Sequence, residues 1–391
     1  MAKVAWLCEF PLAGGGDRSL LATLGGLRRA GFEPVALAPA GGELARLFQR
    51  HDVPQLPVQW IDSQGRRLAQ PQARQFLQAQ LTALRPDLLH ANSLAMARLA
   101  GPVATELELP SLGHLRDIVG LSAAAMADVN RNARLLAVSQ ATRAFHVAQG
   151  LALEKSFVLY NGVDLRRFRP REPHAPRPLL SELELGSDAL LIGCIGQIIL
   201  RKGQERLLPL AQRLRADFPS AHLVIIGDCP SQKAESRAFD AQVRRDLTAA
   251  APGQVHFLGR RDDVETLLPQ LDLLVHPARQ EPLGRVLLEA AACGLPIVAT
   301  PVGGTREIFA ESADPSALLI DTADGSELAA AVARLLDDPD GRTRLGGAAR
   351  RRAESVFDVE RAATGLATHY AEVLALDREA DGRARRQGLE S

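Results

Sequence analysis

Short apolar runs recur along the chain, most of them followed by a turn or a polar cap, and helical periodicity fills much of the space between them. In the first half these runs are Val4–Phe10, Pro34–Ala38, Leu88–Ala91, Leu135–Ser139 and Phe157–Tyr160, with helical stretches such as Arg18–Gly31 and Ala73–Arg85. From Pro170 on, four prolines in PREPHAPRPLL break the pattern, which predicts a linker. A second series follows at Leu190–Gly196, Leu223–Gly227, Val255–Leu258, Leu271–Val275 and Ile297–Ala299. Two runs of strand–helix–strand units predict two parallel sheets covered by helices. A ligand then belongs at the carboxyl ends of the strands, in the cleft between the halves.

Length supports this division, since 391 residues exceed what one core usually fills. The expected boundaries are a first domain at 1–170, a proline-rich linker at 171–187, a second domain at 188–355, a C-terminal helix at 356–376 and a polar, fraying tail at 377–391. The apolar fraction of 46% and charged fraction of 24% exclude a disordered or fibrous chain. No apolar stretch is long enough to span a membrane, the start lacks the pattern of a signal peptide, and the four scattered cysteines read as reduced core residues. The expected address is the cytoplasm. The net charge is zero but unevenly divided, with 19 basic and 13 acidic side chains in residues 1–170. That surplus could steer an anionic acceptor or bring the first half to the inner face of a membrane; a solvated arginine-rich surface is the favoured explanation. No nucleic-acid partner is expected.

The densest chemistry lies between Asp272 and Glu307, DLLVHPARQEPLGRVLLEAAACGLPIVATPVGGTRE. His276-Pro277 ends a buried strand, and LGRVLLEAAACG reads as a helix opened at Gly284 and closed by Gly294 and Pro296. A helix start without a side chain lets an anion approach backbone N–H groups, so a diphosphate suits Leu283, Gly284, Arg285, Val286 and Leu287. Glu281 precedes the helix and Glu289 lies about one and a half turns inside it. Each carboxylate can accept two hydroxyl hydrogen bonds, one at a sugar and one at a ribose. Gly196-Gln197 ends another strand, and Arg201 and Lys202 follow in a loop, where cations could neutralise a leaving diphosphate. Lys202 is one of only four lysines in an arginine-rich chain; the plain alternative is an exposed loop lysine. Gly14-Gly15-Gly16 follows the first strand and could admit a phosphate or sugar, or could be a simple turn. Arg18 could touch an acceptor or phosphate, or pair with surface carboxylates. Ser139 and Thr305 are expected as helix caps. The acidic run Asp337–Asp340 reads as a solvated turn, and no residue is nominated as a metal ligand.

The spacing of Glu281 and Glu289 within EPLGRVLLEAAACGLPIVAT resembles the signature of the family 4 retaining glycosyltransferases of the GT-B fold. GGGDR, GHLRD, AVSQATR, YNGVDLRRFRP, GQIILRKGQ, VIIGD and FLGRRDDV agree with it in order. The resemblance covers nearly the whole chain. It implies two Rossmann-like, doubly wound α/β domains facing a cleft, with the last helix packing back on the first domain. It implies sugar transfer from a UDP- or GDP-sugar to a hydroxyl of an unknown acceptor, with retention, without a metal and without any cofactor besides that co-substrate. By resemblance His114 borders the anomeric centre with Asp117 as its polar companion. Lys202 and Glu281 complete the catalytic set, and Gly15, Gly196, Gln197, Arg201, Arg260 and Glu289 belong to the donor site. Many relatives carry a second basic residue where Gln197 stands, so Arg201 compensates or phosphate binding is weaker.

Three rivals can be weighed on residues. A nicotinamide oxidoreductase requires GxGxxG after the first strand and an acid ending the second; here the loop is AGGGDR and the second strand ends Ala38-Pro39-Ala40. A two-domain solute receptor requires a secretion signal. A catalytically silent relative kept as a nucleotide-sugar-binding partner subunit conflicts with the presence of His114, Lys202, Glu281 and Glu289, and Gln197 keeps it open.

Overall fold

The computed structural model describes residues 1–61, 66–309 and 315–387, with side chains omitted at 378–387. The chain divides into two compact units, Met1–Gly162 with Val359–Ser391, and Val163–Asp358. The proline-rich segment 171–187 belongs to the second unit, where Pro178 opens the helix Pro178–Glu182.

In the first unit seven strands form one parallel sheet: β1 (Ala2–Leu7), β2 (Phe32–Pro39), β3 (Gln55–Val58), β4 (Leu88–Ala91), β5 (Ser111–Leu115), β6 (Arg134–Ala137) and β7 (Ser156–Val158). Their order is β3-β2-β1-β4-β5-β6-β7. β1, β4 and β6 are buried along most of their length, as strands covered on both faces must be. One face packs Leu77, Leu81, Leu99 and Val103 against the sheet. The other packs Leu20, Leu24, Phe48 and, from the C-terminal helix Val359–Gln387, Leu366, Tyr370 and Val373. That helix continues into the segment expected to fray; residues 388–391 lie outside the described residues.

The second unit repeats the plan with β8 (Leu190–Ile195), β9 (Ala221–Ile226), β10 (Val255–Gly259), β11 (Leu273–His276), β12 (Ile297–Ala299) and β13 (Leu318–Leu319), in the order β10-β9-β8-β11-β12-β13. All the pairings are parallel. Ile192, Leu223, Ile225, Leu273 and Val275 anchor its core against Leu207, Leu214, Val332 and Leu335. In both sheets the strand order reverses beside the first strand of the unit, between β1 and β4 and between β8 and β11. Loops leaving the carboxyl ends of strands at such a reversal splay apart and leave room for a ligand. β3, β5 and β13 fall outside the apolar runs. β3 carries Pro57, which an edge strand tolerates, and β13 is two residues long. No helix of the described residues is long and apolar enough to cross a membrane.

Candidate functional site

At the β8–β11 reversal the chain leaves β8 through Gly196 and makes a tight turn at Leu200–Lys202. Gly203 follows with φ +68°, and a β-carbon there would lie 2.2 Å from the Pro277 carbonyl oxygen. Only glycine fits so close an approach in that conformation. The contact brings the Lys202 turn against the end of β11. The Arg201 carbonyl accepts the N–H groups of Arg279 (2.9 Å) and Gln280 (3.1 Å), which fixes the next residue, Glu281. Glu281's own carbonyl accepts the Gly304 N–H at 3.0 Å.

So held, the Glu281 carboxylate forms an ion pair with Lys202 Nζ and accepts a hydrogen bond from His276 Nε2 at 3.0 Å. Glu281 is 5% exposed and His276 2%, so both acid and imidazole are largely buried. Burial alone would raise the Glu281 carboxyl; the Lys202 ammonium and the His276 hydrogen bond outweigh it and hold the group well below the usual carboxylate range. His276 is lowered by burial, against the pull of Glu281 and with the push of Lys202.

Gly284, at φ +102°, caps the helix Arg285–Ala292. Leu283 and Leu287 are core side chains, 1% and 0% exposed, so only their backbone can meet a ligand. The Leu287 N–H bonds the Gly284 carbonyl at 3.0 Å. One turn on, Glu289 is 6% exposed and pairs with Arg285 at 2.5 Å, so two nominated ligand contacts are engaged with each other. Val286 is half-buried. Gln197 is exposed, and its carbonyl accepts from the Gln204 side chain at 2.8 Å. Arg260 is exposed and within 3.9 Å of Asp262. Thr305 does not cap its helix: the cap is Gly304, and the buried Thr305 hydroxyl has no hydrogen-bond partner among the described residues. Ser139 does cap, accepting the Thr142 N–H at 3.0 Å.

At the β1–β4 reversal of the first unit the organising group is Arg116. Its Nε donates to Asn92 Oδ1 (2.9 Å), one terminal nitrogen to Asn161 Oδ1 (2.8 Å) and the other to His114 Nδ1 (3.1 Å). Asn92 donates in turn to Asp17 (2.9 Å), whose second oxygen accepts the Gly14 N–H (3.0 Å). Burial raises the Asp17 carboxyl and pulls Arg116 down to about 10. A β-carbon on Gly16 would lie 2.5 Å from Arg116 Cδ, so the glycine loop closes over the guanidinium. Beneath it Trp6 Nε1 donates to the Tyr370 hydroxyl (3.1 Å), which lies 2.6 Å from His90 Nδ1, and His90 stacks on His114 with centroids 5.5 Å apart.

The resemblance puts His114 at the anomeric centre. It lies within β5 with its ring buried, 3% exposed, and burial with the neighbouring Arg116 lowers it well below the ordinary imidazole value. Asp117 is exposed just beyond, its carbonyl 2.8 Å from His146 Nε2. Gly15 opens the helix Gly15–Ala22, and Arg18 pairs with the buried Glu43, the plainer of its two expected roles. The structure therefore joins Lys202 to Glu281 and Arg285 to Glu289. His276 and the Arg116 network were missed. Arg116 was visible inside GHLRD and His276 at a strand end, but neither position announced its contacts.

Residues 13–167 match glycosyltransferase family 4 and residues 180–352 match glycosyl transferases group 1. The chain is 31% identical over 211 residues, 52% of each chain, to a GDP-mannose-dependent monoacylated alpha-(1-6)-phosphatidylinositol monomannoside mannosyltransferase of Corynebacterium glutamicum. It is 29% identical over 303 residues to the glycogen synthase of Mycobacterium tuberculosis, covering 73% of this chain and 69% of that one. The chain thus spans about half the length of the first of these curated relatives. In fold it is similar to Anabaena Alr3699/HepE, crystallised in complex with UDP and glucose, with a TM-score of 0.82 over 95% of this chain and 100% of that one at 23% identity.

Proposed function

Because the chain belongs to the family 4 glycosyltransferases of the GT-B fold, we propose that it moves a sugar from a nucleoside-diphosphate sugar to an acceptor hydroxyl, with retention of anomeric configuration. The observation that carries this reading is the buried Lys202–Glu281 pair, set beside a helix that begins at a glycine, inside the segment matched to group 1. Lys202 and the first amides of the helix Arg285–Ala292 receive the diphosphate, whose leaving charge they stabilise. Glu281 accepts hydroxyls of the sugar, and Glu289, steadied by Arg285, accepts those of the ribose. Gly196, Gln197, Arg201 and Arg260 border the same ligand. In the first unit the resemblance assigns Gly15, Asp117 and the backbone carbonyl of the buried His114 to the reacting end of the donor, and Arg18 to the acceptor side. The four unpaired cysteines suit a reducing compartment, and the basic surplus of residues 1–170 supports an anionic acceptor or contact with the inner face of a membrane.

A thermal-shift panel of UDP, GDP, ADP and their sugar conjugates tests the reading, since a ligand at about 100 times its Kd stabilises the folded state by roughly 2.7 kcal/mol. A clear upward shift with one base, larger for the sugar conjugate, is expected. No shift with any of the set would remove the proposal. A shift without turnover on any hydroxyl acceptor would favour the silent-subunit reading, which the uncharged Gln197 supports.

A further inference from the structure

Both donors that reach the Glu281 side chain, Lys202 Nζ and His276 Nε2, converge on one oxygen, Oε2. Oε1 receives no hydrogen bond from the described residues and is not sealed from solvent. A carboxylate offers about four lone-pair positions, so half of this group's accepting capacity is unused in a setting where polar atoms are normally satisfied.

The asymmetry has a mechanical origin. An ammonium on a flexible stem offers three rotatable donors and fixes distance better than orientation. The imidazole is rigid and buried, and its backbone is anchored: His276 is the last residue of β11, and its carbonyl accepts the Thr300 N–H at 3.0 Å. A carboxylate can only accept here, so the ring nitrogen facing it carries the hydrogen, and His276 is the Nε2–H tautomer.

We propose that His276 is a positioning residue: with Lys202 it saturates Oε2 of Glu281 and so turns Oε1 outward as the acceptor for hydroxyls of a glycosyl donor. This rests on the glycosyl-transfer reading and deepens it. The substrate class it selects is a nucleotide sugar whose transferred ring keeps free hydroxyls at the contact, and the nucleotide itself gains nothing from His276.

Calorimetric titration of wild type, His276→Phe and His276→Gln with UDP, UDP-glucose, GDP and GDP-mannose separates the possibilities. For the base that binds, His276→Phe is expected to keep the nucleotide Kd within about twofold and to lose the extra affinity of the sugar conjugate by about tenfold, the scale of one hydrogen bond to a charged group. His276→Gln, which restores an N–H donor, is expected to recover most of it. Equal weakening of nucleotide and conjugate, or no change in either, would overturn the assignment. Should His276→Phe fail to fold, 15N NMR of the wild-type ring decides: protonation at Nε2 alone supports the proposal, and protonation at Nδ1 alone overturns it. Wild type binding none of the four compounds would instead remove the transfer reading beneath it.

Discussion

In the first unit the half-buried cation Arg116 spends its three guanidinium nitrogens on neutral acceptors, Asn92, Asn161 and His114, and meets its acid, Asp17, through Asn92. In the second unit the buried acid Glu281 meets an ammonium and an imidazole directly, both on the same oxygen. Both arrays occupy the place where a parallel sheet reverses its strand order, yet they answer the cost of a buried charge differently. The first spreads the cation over three neutral acceptors under the glycine loop, and the Nε2 atoms of His90 and His114 have no partner among the described residues. The second cancels charge against charge and leaves one oxygen over. The neutral frame holds loops together, whereas the charged one keeps an anionic oxygen available to hydroxyl donors.

The largest expected effect comes from breaking the charged array. Lys202→Ala or Glu281→Ala should lower transfer by at least about 100-fold, the scale of removing one transition-state electrostatic contact. Each should also cost roughly 3–5 kcal/mol of stability by stranding a buried partner. Initial rates and urea melts read both. The double variant Lys202→Met, Glu281→Gln should regain much of the stability and none of the rate. A double variant as unstable as the singles would show that the pair is not a unit.

Breaking the neutral frame should cost less. Arg116→Met leaves Asn92, Asn161 and His114 short of donors, at about 1–3 kcal/mol for each group that water cannot reach. Gly16→Ala should cost about 1–3 kcal/mol through overpacking on Arg116. Denaturant melts of both variants test whether the loop and the guanidinium form one assembly; a neutral Gly16→Ala would separate them.

Acid should reveal the histidines next. His90, His114 and His276 are lowered by burial, so below their ordinary value of 6.5 the unfolded chain takes up protons that the folded chain refuses. Stability therefore falls as pH drops from 7.5 to 5.5. The depressed Glu281 adds a further loss only below its ordinary 4.5. Thermal melts across this range should show the decline, and His90→Gln should flatten it. The smallest effect is expected at exposed Gln197, where Gln197→Arg should tighten nucleotide binding by a few-fold, consistent with about 0.5–1 kcal/mol for an exposed ion pair.

The alternation of apolar runs and helical stretches by itself determined two parallel α/β units, because side-chain period and connection handedness leave few other arrangements. The spacing of Glu281 and Glu289 around Gly284 marked the helix start and its acids, since those are local facts of one turn and one helix. Edge strand β3 escaped because its apolar alternation is interrupted by Pro57, which only an edge position permits. Tertiary structure alone decided that Lys202 meets Glu281 across 79 residues of sequence and that Trp6 meets Tyr370 across 364. It also decided that His276 stands behind the acid, that Arg18 answers Glu43, and that His114 is buried. Burial and hydrogen-bond partnership depend on which loops converge, and that convergence is set by backbone contacts such as Gly203 against Pro277, for which no local pattern of residue types is diagnostic.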